Sequence, residues 1–321
     1  MRMEELSKLP PFRLRPWFSP RPWGSRDLSP WYDVSREQEP IGEAWLTGDQ
    51  CVIDTGVLSG RTLGQAVTEA ANLLGAESGR FPLLVKVLFP FDKLSVQVHP
   101  DDQKAQQLSG EPTGKTECWY VLDARPGASV ALGLNPGVTA ADVRRGIDDG
   151  TLEDLLRIVP LEKGDMLYVD AGTVHAIYPG AVLLETQQNS DLTYRLYDFG
   201  RGRELHLDEG LAAMRIKTAA GKVKPQTSNC NTALIESEYF RIDSFCLEGA
   251  QEAVALAEHL TARPGVPAIL FVATGECSLQ VEGGQFLLHQ GQVAVVPQRS
   301  GNWKLQAEEA CQLICMTPGR P

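Results

Sequence analysis

The 321-residue chain has no stretch approaching the roughly 20 apolar residues of a membrane span, and Met1 to Lys8 lack the apolar core of a secretory signal. Neither a membrane surface nor export is therefore expected. Cysteines in pairs are missing too: the seven, at 51, 118, 230, 246, 277, 311 and 315, form no C-x-x-C and are odd in number. That suits a reducing compartment better than a disulfide framework, so the thiols are expected to be reduced and the chain cytoplasmic. Positive charge is also short, with 30 Lys and Arg against 41 Asp and Glu for a net charge of -11. Nucleic acid and acidic membranes are poor partners for such a surface, and an anionic ligand must be met by cations gathered locally, with salt screening expected to help. Nothing in the sequence speaks to oligomeric state.

With 43% apolar residues the chain can bury a large core, and its length suits two domains or one big all-β unit. Leu94 to His99 alternates apolar and polar residues with period two, which on a strand puts Ser95, Gln97 and His99 on one face and Val96 and Val98 on the other. Residues 1 to 40 are rich in Pro, Arg and Trp, and with Trp17, Trp23 and Trp31 they read as an extended arm laid over the body. Pro40 to Trp45 and Cys51 to Ile53 read as short strands, and Thr62 can cap a helix from Leu63 to Leu74 that Gly75 stops. Phe81 to Phe89 is a nearly continuous apolar run broken only by Lys86, hence a buried strand. After a polar turn or short helix to Leu108, Lys115 to Leu122 is the next strand, with Lys115, Glu117 and Trp119 sharing a face.

From Thr139 to Ile158 the apolar positions Val143, Ile147, Leu152, Leu155 and Leu156 take a helical period, giving a cover rather than chemistry. Gly164 to His175 then runs glycine, strand, tight turn through Gly172, histidine. Val182 to Thr186 and Thr193 to Tyr197 complete a first barrel, Asp208 can cap a helix to Lys217, and residues 219 to 228 read as a linker. Beyond it six short apolar runs, at 240–245, 268–273, 277–281, 286–289, 293–297 and 311–316, repeat the all-β texture. Gly291 to Asn302 echoes the glycine, strand, turn order without a terminal histidine, so this second barrel is expected to hold no metal. The fold expectation is mainly β: two jelly-roll barrels with a few peripheral helices, divided as 1–218, arm plus metal-binding barrel and helical cover, and 230–321.

Gln97, His99, Glu117 and His175 are four oxygen or nitrogen donors arriving on three strands. Zinc accepts imidazole nitrogen and carboxylate oxygen, and a catalytic site leaves a position open for substrate. With Glu117 as the one anion, a Zn²⁺ here would keep a net charge of about +1, suited to a negatively charged enediolate. Metal-centred decarboxylation or dioxygenation usually wants more histidines and a redox metal, and Gln97 counts against both. His206, His259 and His289 lie apart from these motifs and read as surface or structural.

Four segments together carry a resemblance: Leu94 to Asp102 (LSVQVHPDD), Gly114 to Leu122 (GKTECWYVL), Ala171 to Ile177 (AGTVHAI) and Asn189 to Asp198 (NSDLTYRLYD), with the Trp23-Gly24 arm and Pro40 to Trp45 fitting as well. In this order and spacing the chain resembles the type I mannose-6-phosphate isomerases, zinc enzymes of the cupin superfamily, and in particular their short bacterial form. The likeness is strong from about Trp17 to Arg201 and weak beyond. Asp170 and Val174 stand where prolines are common in the family, a departure that removes no ligand. The resemblance implies one zinc per chain on Gln97, His99, Glu117 and His175; phosphate binding by Ser95 and Arg201; and active-site roles for Arg195, Lys115 and Asp191. It further implies interconversion of mannose 6-phosphate and fructose 6-phosphate through a cis-enediol, with zinc and Arg195 as the electrophile. The base stays open among Asp191, Glu185 and Lys115. The alternative is a cupin that binds a phosphosugar without turnover, which loss of a proton-transfer or phosphate residue would favour; here all are present.

Overall fold

The computed structural model describes residues 7–76, 78–228, 231–247, 256, 260 and 265–319, and these build four β-sheets with four α-helices at the margins. A seven-stranded sheet runs, edge to edge, Gly221–Lys222, Met166–Val169, Glu117–Ala124, Ala181–Gln188, Leu83–Leu88, Ile41–Trp45, Trp17–Ser25. A five-stranded sheet faces it, in the order Tyr194–Tyr197, Val96–Val98, His175–Ile177, Ser129–Leu134, Leu156–Pro160. Val121, Leu167 and Leu183 of the first sheet meet Val130, Leu132 and Ile177 of the second in one core, which is the inside of a mainly β barrel.

The period-two pattern explains the layers outside that core. Val96 and Val98 point away from the barrel and are covered by Val143 and Ile147 of the Ala140–Asp148 helix and by Ala213 of the Leu207–Ala213 helix. Leu83, Val85, Cys118, Tyr120 and Leu184 emerge from the back of the seven-stranded sheet and pack against Ile269, Phe271, Val293 and Ile314. Those four belong to an eight-stranded sheet of order Gln226–Ser228, Asn231–Glu236, Phe240–Leu247, Cys311–Pro318, Ala268–Thr274, Val293–Val296, Phe12–Arg15, Val52–Ile53. Its far face closes a second core with the three strands Gly284–His289, Glu276–Val281 and Trp303–Gln306. We propose 1–218 and 230–321 as the two units of this architecture, although strand pairing crosses that division.

The crossing is where the arm departs from expectation. It does not lie over the body; Phe12–Arg15 is woven between Val293–Val296 and Val52–Ile53, while Trp17–Ser25 pairs with Ile41–Trp45 in the other sheet. Trp23 and Trp31 are buried, and Trp31 stacks on Phe271 with ring centroids 6.2 Å apart. The Leu63–Leu74 helix begins as expected, Thr62 accepting from the Gln65 amide in a capping box and Gly75 closing it in the left-handed region. Two helical expectations fail. Gly150, at φ 72°, ends the helix begun at Ala140, and after a 3-10 turn Leu156–Pro160 becomes an edge strand beside Ser129–Leu134. Asp208 is not a cap: His206 precedes the Leu207–Ala213 helix without a side-chain bond, and Met214, in extended geometry, ends it. Residues 219–228 hold two short strands rather than a free linker. Six cysteines are free thiols, Cys230 and His259 lie outside the described residues, and no described helix is long and apolar enough to cross a membrane.

Candidate active site

Two facing rows of polar side chains meet at one end of the first barrel. On the five-stranded sheet, register sets Arg195 opposite Gln97, Gln97 opposite His175, and His175 opposite Leu132. On the seven-stranded sheet the row runs Trp45, Lys86, Glu185, Trp119, with Glu117 and Gln187 paired one step along. The strands are apolar on their outer faces, so these inward polar groups are held in a water-poor wall where each must find a partner.

His175 reaches the site through the Gly172 turn. Gly172 has φ 87°, and a Cβ there would stand 2.7 Å from Arg215 Cγ. Its amide donates to the His99 carbonyl at 2.7 Å, tying the two histidine-bearing segments together. His99 Nδ1 lies 2.9 Å from the Leu192 carbonyl and His175 Nδ1 2.9 Å from the Thr173 carbonyl. A carbonyl only accepts, so both Nδ1 atoms carry the proton and both Nε2 atoms present lone pairs. His99 Nε2 is 3.6 Å and His175 Nε2 3.4 Å from the Glu117 carboxylate, and one donor atom of each residue lies within 4.8 Å of the other two. Burial, with the charge of Lys115, pushes His99 well below its ordinary range, and burial holds His175 at about 4. Neutral imidazoles are the ligand form.

The donor set fits a metal on a further observation: Glu117 Oε1 is buried without a hydrogen-bond partner. A cation already tests the spot, since the Lys115 ammonium lies 2.6 Å from Glu117 Oε2 and 2.9 Å from His99 Nε2. Gln97 Nε2 sits 3.2 Å from His175 Nε2, and its Oε1 accepts from Ser95 Oγ at 3.2 Å. All four sequence-predicted ligands thus stand together, His99, Glu117 and His175 fully buried and Gln97 partly so.

In front of them opens a cavity of about 430 Å³. Its walls bring together Ser95, Gln97, Lys115, Glu185, Asp191 and Arg195, as the sequence predicted, and add Lys86, Glu43, Arg21 and Arg203. Lys86 is 2% exposed and lies 2.7 Å from Asp191, 3.9 Å from both Glu43 and Glu185, and 4.4 Å above the Trp45 ring. Burial pulls its pKa down, but the carboxylates Glu43, Asp191 and Glu185 outweigh it and raise the value. Burial pushes Glu185 up to about 7 against the pull of Lys115, while Trp119 Nε1 donates to it at 3.1 Å. Asp191 goes the other way: burial would raise it, yet Lys86 holds it below the usual carboxylate range. Lys86 could have been found in the sequence as the lone charge inside an apolar run, because a lysine on a strand buried on both faces must be paired.

Arg195 donates through Nη1 to the Glu204 carbonyl at 2.7 Å, and its Nε is buried without a partner. Arg201 is not brought to the cavity wall; its guanidinium is spent on Asp198 and the Lys93 carbonyl. His206 is structural, its Nδ1 accepting from the Arg195 amide at 3.3 Å, and exposed His289 pairs with Glu276 at 2.9 Å. A groove of about 940 Å³ on the second barrel, beside Gln280 and Trp303, shares none of these residues.

Residues 12–130 match the family model for the catalytic domain of type I phosphomannose isomerase. Over 300 residues the chain is 33% identical to the mannose-6-phosphate isomerase of Streptococcus mutans, covering 89% of this chain and 92% of that protein. The chain belongs to the type I mannose-6-phosphate isomerase family. It is also 36% identical over 255 residues to mannose-6-phosphate isomerase ManA of Bacillus subtilis, covering 75% of this chain and 80% of the relative. The crystal structure of the mannose 6-phosphate isomerase from Bacillus subtilis superposes with a TM-score of 0.82 at 29% identity, over 96% of this chain and 99% of that one. A zinc-bound mannose 6-phosphate isomerase structure, 17% identical, shares the fold with a TM-score of 0.73 over 97% and 100% of the two chains. These likenesses cover both barrels, so the family's mainly β, cupin-type architecture extends past the motifs of the first half.

Proposed function

We propose that this isomerase family member interconverts mannose 6-phosphate and fructose 6-phosphate as a zinc enzyme, through a cis-enediol, with one metal ion per chain. The observation that carries the reading is one cavity in which the neutral imidazoles of His99 and His175, with the Glu117 carboxylate, adjoin three groups able to move a proton, Lys115, Glu185 and Asp191. His99, His175 and Glu117 would hold the zinc, joined by Gln97 once its amide turns to present Oε1 and donate Nε2–H to Ser95 Oγ. Bound there, zinc supplies Lewis acidity toward the sugar's oxygens.

Isomerisation of the open-chain aldose needs the C2 proton removed, the electron pair passing into a C1–C2 double bond as the C1 oxygen gains charge. The proton returns at C1, and the C2 hydroxyl passes its own proton to the C1 oxygen as it becomes the carbonyl. A base for both transfers should titrate near the operating pH, and Glu185, raised to about 7, is better suited than Asp191, which Lys86 holds ionised and weakly basic. Asp191 then orients Lys86, and Lys115 steadies Glu117 and the sugar oxygens beside it. Arg195, which lines the cavity, stabilises charge developing on the enediolate. Ser95 and a guanidinium from the 201–203 turn receive the phosphate. Free thiols suit a reducing compartment, and we place the enzyme in the cytoplasm.

The test is a coupled assay with mannose 6-phosphate before and after chelation. Turnover that chelation removes and one equivalent of zinc restores is expected. No turnover in the zinc-loaded chain would leave a phosphosugar-binding cupin instead.

A further inference from the structure

The turn after Arg195 carries two arginines in different situations, and they cannot both serve the substrate equally. Resting on the functional reading above, we propose that Arg203, rather than Arg201, is the cation that grips the substrate's phosphate, alongside Ser95.

Arg201 has spent its donors. Its Nε reaches the Asp198 carbonyl and Oδ1, each at 3.2 Å, Nη2 reaches Oδ1 at 2.9 Å, and Nη1 reaches the Lys93 carbonyl at 2.6 Å. Asp92 lies 3.5 Å from Nη1, and the guanidinium carbon stands 5.5 Å from the Phe199 ring. A side chain bonded on every edge and set against an aromatic ring closes a turn; freeing it for a phosphate would undo that closure. Arg203, by contrast, lines the cavity with Ser95 and Arg195. Its bonds go to Asp198 alone, Nε to Oδ2 at 2.8 Å and Nη2 to Oδ1, and among the described residues Nη1 has no partner.

Register places this guanidinium at the correct end. Arg195 lies opposite Gln97 and Tyr197 opposite Val96, so the chain runs on toward Ser95, and Asp198, which anchors Arg203, follows directly. The metal-ligand end is therefore beside Arg195 and the Ser95 end beside Asp198 and Arg203. Charge argues the same way. Three arginines, 195, 201 and 203, surround Asp198, whose side chain is 3% exposed, in a chain of net charge -11. Burial and then the charge of Arg203 lower the Arg195 pKa, as expected of cations close enough to repel. A phosphate dianion between them would relieve that repulsion, and Asp198, by engaging the Nε–Nη2 edge of Arg203, leaves Nη1 to reach it.

The experiment compares Arg203→Ala, Arg203→Lys and Arg201→Ala, reading kcat, KM for mannose 6-phosphate and competitive inhibition by inorganic phosphate. Arg203→Ala should raise KM at least about tenfold, more than it lowers kcat, and weaken phosphate inhibition by a similar factor. Arg203→Lys should recover part of both, and Arg201→Ala should disturb phosphate inhibition less than Arg203→Ala does. Phosphate inhibition unchanged in Arg203→Ala, or lost only in Arg201→Ala, overturns the proposal, as does a lysine variant no better than alanine. If Arg203→Ala folds poorly, Arg203→Gln against Arg203→Lys carries the same comparison. Wild-type turnover is the separate control: its absence removes the functional reading, whereas turnover with unaltered phosphate inhibition in Arg203→Ala removes only Arg203.

Discussion

Lys86 and Glu185 sit directly opposite each other on neighbouring strands, yet their separation of 3.9 Å leaves the carboxyl short of a direct bond. The nearer partner of Lys86 is Asp191, and that asymmetry keeps one carboxylate ionised while letting the other ride up to about 7. A base must be deprotonated to act, so kcat/KM should rise with pH through about 7 and level off above it, and Glu185→Gln should lower kcat by at least about 10²-fold. A pH profile with the same acid limb in an active Glu185→Gln chain would assign the base elsewhere. Lys86 is also a stability residue. Replacing it by Met strands carboxylates in a site where the lysine is 2% exposed, and should cost about 3–5 kcal/mol in chemical denaturation.

The strands that carry the donors follow from side-chain period, which is why Gln97, His99 and Glu117 could be set on common faces from sequence and why the structure brings them together. Helical period was less decisive. Leu152, Leu155 and Leu156 keep a helical spacing past Ala140–Asp148, but Gly150 in the left-handed region breaks the helix and the residues after it find an edge to pair with. Lys86 shows in the sequence as a lone charge in a buried run, but its partners, and the places of Glu43, Arg21 and Arg203 at the cavity, depend on which strands become neighbours, which sequence spacing does not state. The tight Gly172 turn, in contrast, was readable, and its substitution is a test at this scale. Gly172→Ala forces a Cβ to φ 87° and against Arg215, costing roughly 1–3 kcal/mol. Because Gly172 N–H holds the His99 carbonyl, zinc affinity should fall along with stability when metal binding is titrated. Thr62→Ala, which removes a remote helix cap, should cost about 1 kcal/mol with zinc affinity kept.

Across the whole molecule, one core joins both halves: Leu9, Phe12 and Leu14 from the arm pack with Leu83 and Val85 of the first barrel and with Ile269, Phe271 and Val293 of the second. Neither barrel could lose the other without exposing that surface, so calorimetry should record a single unfolding transition, and Phe12→Ala, at 2% exposure, should lower it by about 3–5 kcal/mol. Two separated transitions would mean that the halves fold as independent units. The same architecture isolates the chemistry at one end of the first barrel, where the acidic chain gathers its cations around one cavity. The most direct test of that centre is metal analysis of the purified chain and of His175→Ala, each assayed with mannose 6-phosphate. One equivalent of zinc with turnover in the parent, and loss of both in the variant, is the predicted result; full turnover in His175→Ala, or two equivalents bound to the parent, would contradict it.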